Sequence, residues 1–179
     1  MNVSLDGYVS GPNGELDWLF PSMAPEQVQT ITEILREGDT ILIGRVNYLE
    51  QAAHWPQQSG ELADLLNSHT KIVFSKILDR LDWSNSRLAM ADPAEEIARL
   101  KRQPGKDIFV PGGATLAQSL SRLGLIDEYT ITVHPTVLGS GKPLFKDLAQ
   151  PLHLKLISTH AFDTGAVHLV YRPAGQLGE

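Results

Sequence analysis

Apolar residues along this chain switch repeatedly between the spacing of a strand and that of a helix. The first apolar segment, Met1 to Val9, is short and meets the loop Ser10-Gly11-Pro12-Asn13-Gly14. Pro25-Glu26-Gln27 opens a helix with proline and an acid in its first turn. Val28, Ile31, Ile34 and Leu35 then mark one face at helical spacing, and Gly38-Asp39 ends it. The apolar run from Ile41 to Gly44 predicts a buried strand. A polar helix around Glu61 to Ser68 and a strand from Lys71 to Phe74 follow, with another strand at Leu88 to Ala91. Asp92-Pro93-Ala94-Glu95 is a helix start, with Asp as N-cap and Pro at the first helical position, and Pro104-Gly105 closes that helix. A strand over 107–110 and a helix over 115–123 come next. From Glu128 to His134, Tyr129, Ile131 and Val133 alternate with Thr130 and Thr132, the pattern of a half-buried strand. Two final strands, near Leu152 to Phe162 and Val167 to Arg172, are joined by the hairpin signal Asp163-Thr164-Gly165-Ala166.

Helices between the early strands imply parallel crossovers, and the final hairpin implies antiparallel pairing. The expected fold is α/β: a twisted, mostly parallel mixed sheet with helices on both faces and an antiparallel C-terminal hairpin, as one domain over residues 1–179.

Composition narrows the function. A net charge of −6, with no basic run along the chain, argues against nonspecific nucleic-acid binding, which needs a basic face. No apolar run approaches the roughly 20 residues that span a bilayer, and no secretory leader is visible. The chain has no cysteine, which excludes disulfides and thiolate zinc sites and fits a cytoplasmic location. His54, His69, His134, His153, His160 and His168 are scattered, without metal-site spacing, so no metal is expected. Gly-x-Ser-x-Gly and Walker patterns are also absent.

Candidate chemistry sits at three strand ends. Pro111-Gly112-Gly113-Ala114-Thr115 joins a strand to a helix, where two glycines admit positive φ and close approach. The following helix, with Leu116 in its first turn, directs unpaired N–H groups and its positive dipole end over the turn, a place suited to a phosphate. Gly44-Arg45-Val46 ends another strand and offers a guanidinium fork. Ser75-Lys76 ends a third, offering a hydroxyl and an ammonium. Taken singly, these are a tight turn and two solvated charges. Together they line the edge at which open α/β sheets bind ligands. The set suits a dinucleotide with an extra ribose phosphate: Gly-Gly for the pyrophosphate, and Arg45, Ser75 and Lys76 for the 2′-phosphate.

The chain resembles the dihydrofolate reductase-like family, in particular stand-alone bacterial members of the type of the riboflavin-biosynthesis reductase domain. The matching segments run in order: Ser4-Leu5-Asp6-Gly7-Tyr8-Val9 with Gly11-Pro12-Asn13-Gly14, Leu16-Asp17-Trp18, Ile43-Gly44-Arg45-Val46-Asn47-Tyr48 and Val73-Phe74-Ser75-Lys76. Val110-Pro111-Gly112-Gly113, Leu125 to Tyr129, and His134 to Phe145 complete them. The resemblance implies NADPH as cofactor, bound at the Gly-Arg, Ser-Lys and Gly-Gly positions. It also implies hydride transfer to a pterin-like or pyrimidine-like small molecule. A non-catalytic nucleotide-binding or sensor protein on the same scaffold is the alternative.

For the substrate side the residues leave choices open. Asp6 either caps the turn before Gly7 or faces a pocket. Trp18 is either a pocket rim or a core anchor, and Tyr48 is a further candidate wall. Glu26 and Glu33 lie on the helix that bears the proton-donating acid in dihydrofolate reductases, but neither falls in a matching motif. The resemblance further implies a first strand that meets the nicotinamide carboxamide; here only Asn2-Val3-Ser4-Leu5 follow Met1 before Asp6. Riboflavin-type relatives associate through the C-terminal sheet, so a homodimer with residues 126 to 145 at the interface is expected.

Overall fold

The computed structural model describes residues 1–176, and the backbone divides into two compact units. One comprises Met1–Gln27 and Ala117–Glu179, the other Val28–Leu116.

The second unit holds a fully parallel sheet. Its strands are β3 (Gly38–Gly44), β4 (Thr70–Phe74), β5 (Ser86–Leu88) and β6 (Asp107–Phe109), in spatial order β5-β4-β3-β6. The crossovers carry α2 (Arg45–His54), α3 (Glu61–Ser68) and α4 (Pro93–Lys101). Ile41, Leu42 and Ile43 are consecutive and all buried, as are Ile72 and Val73. Successive strand residues face opposite ways, so both faces of this sheet are covered, as a parallel sheet requires. Each such side chain contributes about 1.5–3 kcal/mol by its burial.

Two charged side chains are folded into this unit. Lys71 is fully buried, donating to the carbonyls of Leu66 (3.0 Å) and Asn67 (2.9 Å) at the C-terminal end of α3, with Nζ 4.4 Å from the centre of the Trp83 ring. An ammonium there complements the helix dipole, yet burial lowers its pKa to about 8. Glu96 is also buried; its carboxylate accepts from Arg87 and Arg99 (2.5 Å each) and from the Met90 N–H (3.1 Å). Burial works against its ionisation, but the two guanidinium bonds prevail and hold its pKa below the usual range.

The first unit holds β1 (Asn2–Ser4), β2 (Tyr8–Ser10), β7 (Tyr129–His134), β8 (Lys142–Pro143), β9 (Leu154–Ala161) and β10 (Val167–Pro173). Four of these form a sheet ordered β1-β7-β10-β9, with β1 parallel to β7 and the other pairings antiparallel. β2 and β8 form a separate antiparallel ribbon. The hairpin closes as its sequence predicts: Phe162 N–H donates to Ala166 at 2.9 Å, and Gly165 takes φ +83°. Helices α1 (Pro25–Arg36) and α5 (Ala114–Arg122) each run from one unit into the other along the chain.

The α/β class and the parallel-then-antiparallel order agree with the sequence reading, and three details differ. The strands are distributed over two four-stranded sheets and a ribbon. The first apolar segment breaks into β1 and β2 at Asp6-Gly7, where Gly7 has φ +86° and its N–H donates to Ser4. β5 ends at Leu88, because the Met90 N–H turns to the Glu96 carboxylate while the Ala89 N–H still donates to Val73.

Candidate functional site

Parallel register brings the predicted strand ends of the second unit to one edge. Gly44 pairs with Phe74, so Arg45 and Ser75 leave the sheet together. Ile41 pairs with Phe109, so Pro111-Gly112-Gly113 leave at the same end. Gly44 is the N-cap of α2 and gives it no side-chain cap, leaving first-turn N–H groups to other partners. A Cβ at Gly44 would lie 3.9 Å from Leu116 Cβ, which sets the starts of α2 and α5 side by side. Gly113 has φ +89°, a conformation that a side chain disfavours, and α5 begins at Ala114.

Individual groups are available to differing extents. Arg45, Val46, Lys76 and Thr115 are exposed, whereas Ala114 and Leu116 are buried and contribute backbone alone. Ser75 Oγ accepts from the N–H groups of Ile77 (3.2 Å) and Leu78 (3.0 Å), which fixes the loop and leaves its hydroxyl hydrogen to donate.

The sequence reading missed Asn47 as a site residue. Its Oδ1 accepts from Gln51 at 2.9 Å, which orients the amide. Its Nδ2 is buried with no hydrogen-bond partner. A Cβ at Gly112 would lie 2.8 Å from that nitrogen, and one at Gly113 3.5 Å from it. A buried amide donor is therefore aimed at a turn kept bare of side chains. Leaving such a donor unsatisfied costs about 1–3 kcal/mol, and an anion seated on the turn removes the deficit. Asn47 stood in a quoted motif, but nothing in sequence reveals that its amide is orphaned.

The substrate-side candidates fare differently. Tyr48 is a core residue, not a pocket wall: it is 2 % exposed, packs against Trp83 and accepts the Trp83 N–H on its hydroxyl at 3.0 Å. Trp18 is likewise an anchor, 8 % exposed, with its indole N–H on the Glu15 carbonyl (3.2 Å) and its ring edge-on to His134 at 5.7 Å. Asp6 caps turns, accepting from Ser4 Oγ (2.6 Å) and from the N–H groups of Leu138 (3.1 Å) and Gly139 (2.7 Å). The Ser4 hydroxyl foremost, with the two N–H groups, holds its carboxyl below the usual range, so it is an ionised acceptor at neutral pH. Glu26 pairs with His160 at 3.0 Å and Glu33 accepts from Gln29 at 2.9 Å, both exposed. Among the described residues no His, Asp or Glu cluster is disposed to hold a metal.

The parallel sheet whose strand ends carry Gly-Arg, Ser-Lys and Gly-Gly, with the antiparallel C-terminal hairpin, is an α/β fold of the kind seen in dihydrofolate reductases. Comparison with known proteins narrows this. Residues 1–168 match the model of the RibD C-terminal domain, and the chain belongs to that family. It is 40 % identical over 175 residues to the uncharacterized protein YyaP of Bacillus subtilis, covering 94 % of this chain and 90 % of that protein. Identity to the riboflavin biosynthesis protein RibD of Corynebacterium ammoniagenes is 26 % over 156 residues, 83 % of this chain and 44 % of RibD. Among solved structures, a putative riboflavin biosynthesis protein from Shewanella sp. PV-4 superposes with a TM-score of 0.80 at 25 % identity, over 97 % of this chain and 96 % of that one. The dihydrofolate reductase of Enterococcus faecalis, solved with NADP(H), shares the fold with a TM-score of 0.64 at 15 % identity, over 97 % and 93 % of the two chains.

Proposed function

We propose that this protein is an NADPH-dependent reductase that transfers hydride to a pterin-like or pyrimidine-like small molecule. The observation that carries the cofactor assignment is the unpartnered Asn47 amide against the Gly112-Gly113 turn. In this reading the turn, the first-turn N–H groups of Ala114, Thr115 and Leu116, and Asn47 Nδ2 hold the pyrophosphate. Arg45, the Ser75 hydroxyl and Lys76 take the 2′-phosphate, with the Val46 N–H in the first turn of α2 beside them. The bound nicotinamide supplies the hydride; the protein supplies placement and charge. The riboflavin-biosynthesis names of relatives favour the pyrimidine side of the substrate class.

Oxidation of NADPH, followed by absorbance, with a ribosylamino-pyrimidine and with dihydrofolate tests this. Turnover with the pyrimidine is expected, and cofactor binding without turnover of either would refute catalysis on this substrate class. One observation favours a second reading, a nucleotide-binding protein that does not turn over: the acids weighed as proton donors, Asp6, Glu26 and Glu33, are each engaged in turn or surface bonds. A homodimer is part of the proposal. Among the described residues no helix is long and apolar enough to cross a membrane.

A further inference from the structure

The four-stranded sheet of the first unit has two unlike faces. Val3, Ile131 and Tyr129 point one way and are buried, with the Tyr129 hydroxyl on Ser121 of α5 at 3.2 Å. The other face carries Asn2, Thr132, His168 and His160 in one row, and Ser4 with His134 in a second. A polar sheet face ordinarily stands in water. Here Ser4, Thr132 and His134 are buried, and the chain from Trp18 to Glu26 lies across this face. His134 Nε2 donates to Asn2 Oδ1 at 3.1 Å, which leaves Nδ1 to accept the Ser22 hydroxyl at 2.7 Å. Trp18 stands edge-on to the same ring, and Glu26 pairs with His160 at 3.0 Å.

Gln27 ends this polar cover and opens the inward stripe of α1, ahead of Ile31 and Leu35. The stripe calls for an apolar residue there, and the chain supplies an amide that is 3 % exposed. Its Oε1 accepts the Ala24 N–H at 2.6 Å, which fixes the sense of the amide and leaves Nε2 as a pure donor at the other end. That nitrogen has no acceptor. Among the described residues of the first unit it is the one buried side-chain polar atom left so. Met23 and Ala24, next along the chain, are only half-buried, so solvent lies close by. We propose that Gln27 Nε2 donates to a ring carbonyl oxygen of the pyrimidine-like substrate, and so makes the site select an oxo edge over an amino edge. The inference rests on the substrate class proposed above and not on the cofactor assignment. An oxo group accepts the N–H and removes the unpaired donor. An amino group sets N–H against N–H and leaves both unpaired, so the wrong edge is penalised beyond the loss of one bond.

Two matched probes test this by calorimetric titration in the presence of NADPH. Diaminouracil presents ring carbonyls, and tetraaminopyrimidine presents amino groups in their place. The unaltered protein is expected to bind diaminouracil about ten- to hundred-fold more tightly. Gln27→Glu keeps an acceptor for the Ala24 N–H and turns the free end into an acceptor, so the preference is expected to invert. Gln27→Met keeps the bulk and removes the donor, so the preference is expected to collapse. A glutamine with a structural role alone would shift the melting temperature of both variants and leave the preference as it was, and that outcome overturns the proposal. Equal affinity of the unaltered protein for the two probes, or binding of neither, overturns it as well. NADPH oxidation separates such a failure from that of the reductase reading: turnover of the ribosylamino-pyrimidine by Gln27→Met at unchanged KM removes Gln27 from the site and leaves the reductase standing.

Discussion

In the proposed reading cofactor binding turns on the pair Asn47 and Gly112, and their substitution separates binding from folding. Asn47→Ala removes a donor that makes no bond in the free protein, together with the Gln51 contact on its Oδ1. The free protein is thus expected to change stability by less than about 1 kcal/mol. A hydrogen bond from that amide to a phosphate oxygen is charge-assisted and worth about 1.5–3 kcal/mol, so NADPH affinity falls roughly ten- to hundred-fold. Gly112→Ala acts from the other side. Its Cβ meets Nδ2 at 2.8 Å, and the Gln51 bond keeps the amide from swinging clear. We expect a loss of about 1 kcal/mol of stability and of most cofactor affinity. In the double variant the clash is gone, so stability returns while affinity does not, a non-additivity in one observable and not the other. Chemical denaturation and NADPH fluorescence titration read the two quantities. If Asn47→Ala binds NADPH as tightly as the unaltered protein, the amide is not a ligand and the reasoning fails.

Further outcomes follow from the buried charges. Lys71 releases its proton near pH 8 when folded but near 10.5 when unfolded. The unfolded state therefore binds more protons between those values, and stability rises with pH there by on the order of 2 kcal/mol once solvent screening is allowed for. Urea melts at several pH values should show this rise and its absence in Lys71→Met. Glu96, with its pKa held low, stabilises the fold above the ordinary carboxyl range and ceases to as pH falls through its folded value. Glu96→Gln should cost about 2–4 kcal/mol at neutral pH and flatten the acid limb of the stability profile. Tyr48→Phe should cost about 1–2 kcal/mol in a thermal melt through the bond lost from the Trp83 N–H, with NADPH affinity unchanged; a selective loss of activity would return Tyr48 to the site.

Elements with local chemistry were legible in the sequence. α4 begins after Asp92, whose carboxylate accepts from Ala94 and Glu95 N–H (2.9 and 3.0 Å), as the Asp-Pro signal predicts. α3 spans Glu61–Ser68 as read, and the Gly165 hairpin closes where its turn residues stand. β3 starts earlier than its apolar run, at Gly38, because the backbone pairs Gly38 with Asp107 whatever the side chains are. α2 went unread because its exposed Val46 and Leu49 blur the amphipathic period, with Tyr48 its one fully buried residue. That Gly44, Arg45, Ser75 and Gly112-Gly113 stand at strand ends and turns was legible because such positions announce themselves locally. Tyr48 was misread for the opposite reason. Its partner Trp83 lies 35 residues away, and no local pattern distinguishes an aromatic wall from an aromatic core.

The central claim is that Arg45, Ser75 and Lys76 read a 2′-phosphate. Titration of the protein with NADPH and with NADH tests it most directly, repeated for Arg45→Ala. The account predicts at least a tenfold preference for NADPH, from charge-assisted contacts of about 1.5–3 kcal/mol each, and its collapse on removal of the guanidinium. Equal affinity for the two cofactors, or an unchanged NADPH affinity in Arg45→Ala, would contradict it.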